Sequence, residues 1–273
     1  MTRSFHHILC ASETLAATLD SGSNKTALLI VSGGNEIRSG AHKGMAQLAG
    51  AIAKQGFPVL RYDRRGIGES TGPNYGFLES AEEIAAAVTF LRNECSQINK
   101  IIAFGNCDAA TALALFGPAA GIDGYILANP WVIEPANMAK ADQPTISPAA
   151  VRSRYWDRLK NPRTLFDLVS GKINLGKLLT GLKHAAKSQK TGALAARLRD
   201  ALPAIEKKTV ILLAKRDTTA RAFLAAWHSL DFEPVRGKST ITVEMLDSAS
   251  HSFADAEART WLSNNIVDQL RAV

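Results

Sequence analysis

The chain has 273 residues, 46% of them apolar, enough to bury the core of one large α/β domain or of a core domain carrying an insertion. Its first twenty residues hold no long apolar stretch with a small-residue cleavage site, and no apolar run is long enough to span a bilayer, so neither a secretory signal nor a transmembrane segment is expected. The net charge of +7 is uneven: residues 131–208 hold 15 Lys and Arg against six Asp and Glu, while the rest holds 17 against 19. The first stretch, residues 5–19, reads as one or two antiparallel edge strands with a turn near Ser12. Continuous apolar runs follow at 26–31, ending in Ser32-Gly33-Gly34, at 58–62, ending in Asp63, and at 101–104, 125–128, 210–214 and 241–246. Runs with so little alternation predict strands buried on both faces of a parallel sheet. Helical patterns lie between them at 41–55, 79–94, 108–116, 219–230 and 255–270, and this alternation implies right-handed crossovers and a doubly wound sheet.

Residues 131–208 break the alternation. Ser147-Pro148, Asn161-Pro162 and Asn174 each join a capping residue to a helical pattern, so about four short helices are expected. The segment lies between the runs at 125–128 and 210–214 and would cover the carboxyl ends of the strands, where open α/β sheets bind ligands. The expected organisation is therefore a core of residues 1–130 and 209–273 with a basic helical cap at 131–208. Cys10, Cys95 and Cys107 lack metal-ligand spacing, and a reduced, cytoplasmic protein without metal or cofactor is expected.

Cys107 follows the run 101–104 in Gly105-Asn106-Cys107-Asp108-Ala109, where strand gives way to helix. The pattern G-x-S-x-G places small residues two before and two after a nucleophile because the turn is too sharp for larger ones. Gly105 and Ala109 meet that demand with sulfur in place of the serine oxygen; a buried structural thiol is the competing reading. A nucleophile needs a base, and the base an orienting acid. Asp217 follows the run 210–214 and His251 follows 241–246, which gives the order nucleophile, acid, histidine. Asp217 alone would read as a helix cap and His251 alone as a solvated loop residue; their order at strand ends gives them weight. Asp231 and Asp247 are weaker candidates for the acid. Oxyanion donors are expected from the Asp108 N–H and from the glycine loop, with Asn35 favoured over Gly34. Arg38 and His42 follow that loop as substrate-contacting or loop-positioning residues, and Asp108 could pair with Arg38 or favour the helix amino terminus.

The segment Asp63-Arg64-Arg65-Gly66-Ile67-Gly68-Glu69-Ser70 resembles the D-x-R-G-x-G-x-S stretch of many α/β-hydrolases, where it marks the fold. Together with residues 33–43 and 105–110 it resembles the exosortase A system-associated hydrolase 1 family, bacterial proteins linked to exopolysaccharide production and envelope sorting. Asn35 and Glu36 depart from that family's pattern. The resemblance implies an α/β-hydrolase fold, a mostly parallel doubly wound sheet with a helical cap inserted after the sixth strand. Cys107, His251 and Asp217 in turn predict a cysteine-nucleophile enzyme acting on an ester, thioester or lactone through an acyl-cysteine. Dienelactone hydrolases and polyhydroxyalkanoate synthases resemble it in that nucleophile, so transfer from acyl-coenzyme A or acyl carrier protein is the alternative. A non-catalytic ligand sensor on the same scaffold is a third. The basic segment predicts an anionic acyl donor, such as a coenzyme A thioester or an acidic carrier protein, drawn by long-range steering. No interleaved aromatic pattern suggests nucleic acid.

Overall fold

The computed structural model of the chain describes residues 2–134 and 192–272. Most of the expected cap therefore lies outside the described residues. Eight strands form one sheet: β1 (Arg3–Cys10), β2 (Glu13–Asp20), β3 (Thr26–Val31), β4 (Val59–Tyr62), β5 (Lys100–Asn106), β6 (Gly124–Ala128), β7 (Thr209–Ala214) and β8 (Ile241–Leu246). Their order is β1-β2-β4-β3-β5-β6-β7-β8, and only β2 runs antiparallel to its neighbours. The α/β reading and the doubly wound parallel sheet are thus borne out.

The apolar runs have no visible alternation because both faces are covered. On β3, Ala27, Leu29 and Val31 join one core layer with α2 (Ala81–Glu94), α3 (Asp108–Ala120), α4 (Ala193–Ala201) and α5 (Thr218–Trp227). Leu28 and Ile30 enter the other layer with α1 (Gly44–Ala53) and α7 (Ala256–Arg271). A short helix, α6 (Glu233–Arg236), precedes β8.

Three local differences from expectation have physical causes. β2 is interior, not an edge: Leu15 through Asp20 are all buried, while β1 alternates and forms the sheet's margin. The first helix starts at Gly44 because His42 and Lys43 take left-handed conformations, φ 51° and 60°, which an α-helix of L-residues does not contain. And α4, within the span assigned to the insertion, sends Ala195 and Leu198 into the layer beside α3, followed by Leu202 and Ile205. Charge counting grouped these residues with the basic segment, but their burial makes them part of the core. Glu134 accepts the Leu194 N–H on its carboxylate at 2.5 Å, so the residues on either side of 135–191 meet.

Phe223 anchors α5 to the sheet, fully buried and stacked on Trp227 at 5.6 Å between ring centres. Truncating a buried phenylalanine costs about 3–5 kcal/mol. Phe223→Ala is expected to lower the unfolding free energy by about that amount in urea titration.

Candidate active site

The site forms where β5 ends. Cys107 has φ 63° and ψ −125°, a left-handed backbone that a non-glycine residue adopts only when its surroundings enforce it. The enforcing contacts are visible. The Cys107 N–H donates to Ala128 O at 2.9 Å, and Cys107 O accepts from the Trp131 N–H at 3.2 Å, so the turn is fastened to the exit of β6. A Cβ added at Gly105 would lie 2.8 Å from the Ala109 backbone, which is why glycine stands there and a small residue opposite. Cys107 is half-buried, whereas Cys10 and Cys95 are buried and burial pushes both of their thiols up.

Asp217 caps a helix and contacts His251 at once. It is the N-cap of α5, its Oδ2 accepting from the N–H groups of Thr219 at 2.9 Å and Ala220 at 3.0 Å. The same oxygen meets His251 Nδ1 at 3.0 Å. Burial raises the Asp217 carboxyl, but the His251 hydrogen bond and the helix N–H donors outweigh it and hold the group below its ordinary value. His251 is pushed up to about 10, first by its hydrogen bond to Asp217 and next by one to Cys107, against the opposing effect of burial. With Nδ1 on the acid, Nε2 is the nitrogen left for the thiol. The structure therefore brings Cys107 and His251 to the wall of one cleft, with His251 hydrogen-bonded to Asp217 behind it. Asp247 instead pairs with Arg216 at the surface.

A cleft beside the thiol is lined by Ser32, Gly33, Gly34, Glu36, Met45 and His251, among others. A larger cleft lies near the start of β6, lined by Pro118, Ile122, Tyr125 and Lys207, without a cysteine or histidine. Cys107 and His251 both line the smaller one. Gly34, rather than Asn35, reaches the cleft wall; the Asn35 side chain accepts from Asn74 Nδ2 at 3.1 Å on the exposed loop. Gly33 permits the close approach, since a Cβ there would stand 2.5 Å from Asn106 O. The Asp108 N–H opens α3 and has no intrahelical acceptor.

The Gly34 N–H is occupied: it donates to Asp108 Oδ1 at 2.6 Å. Arg64 Nη2 donates to the Gly34 carbonyl and lies 3.7 Å from Asp108 Oδ2, so the pair clasps this peptide from both sides. Arg64 Nε and Nη1 are buried without a hydrogen-bond partner. Arg38 acts on the loop rather than on Asp108, its guanidinium engaging Asp63, Glu69 and Thr18. His42 is exposed on the short turn Ala41–Lys43 and does not line the cleft. Asp63 is fully buried and also takes the N–H groups of Arg38 and Glu69, while Arg65 binds Glu83 and Glu82. The fold-marking segment is thus a brace beneath the loop.

Two residues escaped the sequence reading. Asn106 Nδ2 and Asn129 Nδ2 each donate to the His251 carbonyl at 3.1 Å, and Asn129 Nδ2 also meets Asn106 Oδ1 at 3.1 Å. The available signal was a polar residue ending the apolar run 125–128, just before Pro130. Among the described residues, no three metal-ligating side chains gather into a site and no helix is long and apolar enough to cross a membrane.

Comparison with solved structures returns the same architecture. An esterase from Pyrococcus furiosus, Pf2001, superposes with a TM-score of 0.68 at 16% identity, covering 99% of this chain and 92% of that one. The alpha/beta hydrolase GrgF from a Penicillium species gives 0.64 at 16%, covering 100% and 99%. A proline iminopeptidase from Mycobacterium smegmatis gives 0.58 at 17%, covering 98% and 99%. At such identities these likenesses speak for the fold. No curated protein matches the chain by sequence. The sequence pattern of the Alpha/beta hydrolase family matches residues 28–261, most of the chain's length. With that match added to the strand order and the turn at Cys107, the chain belongs to the alpha/beta hydrolase family and is a hydrolase by class.

Proposed function

We propose that the protein is a cysteine-nucleophile acyl hydrolase that cleaves an ester, thioester or lactone through an acyl-cysteine. The observation that carries this reading is the Asp217-bound His251 sharing a cleft with Cys107 at a strained strand-to-helix turn. His251, held in its cationic form by Asp217, already carries the proton taken from the Cys107 thiol, and sulfur attacks the carbonyl carbon from this ion pair. The S–C bond forms while the carbonyl π pair moves to oxygen. That oxyanion is held by the Asp108 N–H and, once the Asp108 carboxylate turns toward Arg64, by the Gly34 N–H. Collapse expels the alcohol or thiol, which receives the proton from His251. Water, deprotonated by the same imidazole, then releases the acid and regenerates the thiol.

The concentration of basic residues in 131–208 supports an anionic acyl donor, a coenzyme A thioester or an acidic carrier protein, with transfer to a second acceptor as the variant reaction. The likeness of residues 33–43, 61–70 and 105–110 to exosortase-associated hydrolases supports a setting in envelope polysaccharide production.

Iodoacetamide labelling followed by mass mapping is expected to modify Cys107 ahead of Cys10 and Cys95. Cys107→Ala is expected to lose about 10^3-fold or more in turnover of chromogenic short-chain esters and thioesters. Full turnover by that variant would remove the proposal, and labelled protein with no turnover of any acyl donor would favour a ligand sensor.

Asp108→Ala tests the occupied oxyanion donor. Freed of the carboxylate, the Gly34 N–H is expected to speed acylation by up to about tenfold in single-turnover measurements. A fall would instead make the carboxylate a prop for the loop.

The imidazole supplies a pH signature. Asparagine can still cap α5, so Asp217→Asn isolates the link to His251. The His251 midpoint is expected to fall from about 10 toward 6.5 in NMR titration. Because the folded His251 value is raised, its stabilising effect is complete below 6.5 and disappears as pH rises toward 10. Because the Asp217 value is lowered, its effect is present above 3.8 and disappears as pH falls. The stability gap between wild type and Asp217→Asn should therefore be widest between 3.8 and 6.5 in urea titrations.

A further inference from the structure

Asn129 makes more hydrogen bonds than a strand terminus requires. It is fully buried, with a left-handed φ of 41°, immediately after β6. Its N–H donates to Leu212 O at 2.9 Å, and its Oδ1 accepts from the Ala214 N–H at 2.9 Å, which ties β6 to β7. Its Nδ2 points the other way, to Asn106 Oδ1 and to the His251 carbonyl, each at 3.1 Å. Asn106 Nδ2 donates to that same carbonyl. The ends of three adjacent strands thus converge through two carboxamides on one backbone oxygen of the histidine loop.

We propose that Asn129 is a positioning residue for His251: its carboxamide, with that of Asn106, fixes the backbone carbonyl of His251 so that the imidazole spans Asp217 and Cys107. This rests on the reading of Cys107 as the nucleophile. A purely architectural asparagine would need only the bonds to Leu212 and Ala214; the Nδ2 bonds add nothing to strand pairing. They matter because His251 lies on a loop between β8 and α7, where no ladder fixes its backbone. On its far side the loop is pinned by Phe253, buried and stacked on Trp261 at 5.9 Å between ring centres. The two carboxamides hold the near side. Displacing a catalytic group by about 1 Å can cost on the order of 10^2 in rate, so a small slackening of this peptide has a large effect.

Asn129→Asp separates the two roles. Aspartate has the same shape, tolerates left-handed φ, and can still accept from the Ala214 N–H, but an ionised carboxylate cannot donate to His251. The variant, checked for native circular dichroism, is expected to lose about 10- to 100-fold in kcat with little change in KM. In Asn129→Gly, which adds no charge beside the imidazole, the His251 NMR midpoint is expected to fall below the wild-type value. Asn106→Ala should do the same more weakly, and the double variant should lose less than the product of the two single losses, since both donors serve one carbonyl. If Asn129→Asp aggregates, Asn129→Gly keeps the left-handed backbone without the carboxamide and carries the kcat readout as well. Wild-type kcat in a folded Asn129→Asp and an unmoved His251 titration in Asn129→Gly, even with a lower Tm, would overturn the proposal. The titration does not depend on acyl chemistry, so failure of the nucleophile reading, seen as full turnover by Cys107→Ala, is distinguishable from failure of this one.

Discussion

The site depends on the close passage of backbone past backbone where β5 turns into α3. Gly105 must clear the carbonyl of Ala109, and Gly33 must clear the carbonyl of Asn106, so two strand ends and a helix start share a space with no room for side chains. That crowding drives Cys107 into a left-handed conformation and leaves its thiol at the surface of an otherwise sealed core. Such strain costs about 1–3 kcal/mol and persists only where neighbouring structure outweighs it. Here the bonds from Cys107 to Ala128 and Trp131, set between two fully covered faces of a sheet, supply the restraint. The rigidity of the core is therefore what presents the sulfur.

Charge in this protein is organised around the same point. A buried carboxylate holds the imidazole in its cationic range, and the imidazole faces sulfur across a cleft. Asp63 and Arg65, the most heavily bonded members of the conspicuous Arg61 to Ser70 segment, hold Arg38, Glu69 and Glu83 and never reach the cleft. Arg64 between them does approach it, through Gly34 and Asp108. One short motif thus combines two braces with one residue directed at the chemistry, and only the distances separate them.

What could be read from the residues follows from how local each feature is. The strands were legible because a sheet covered on both sides needs unbroken apolar runs, and Cys107, Asp217 and His251 because each sits at the end of such a run. The register of β2 was not, since its interior place depends on pairing with β4, far along the chain. Loop sequence alone favoured Asn35 because it does not reveal which peptide N–H faces Asp108; in the structure that of Gly34 does. Asn129 was invisible for a related reason. Its significance lies in contacts to Asn106, Ala214 and His251, which come together only when three strands stand side by side.

The bond between Glu134 and Leu194 has a consequence for how such a protein can change over generations. It joins a carboxylate just past β6 to the first turn of α4. Chain that leaves and returns at one place can gain or lose residues without shifting the register of β6 against β7. Sequence change between Glu134 and Leu194 is therefore separable from the contacts that hold Cys107 at the end of β5.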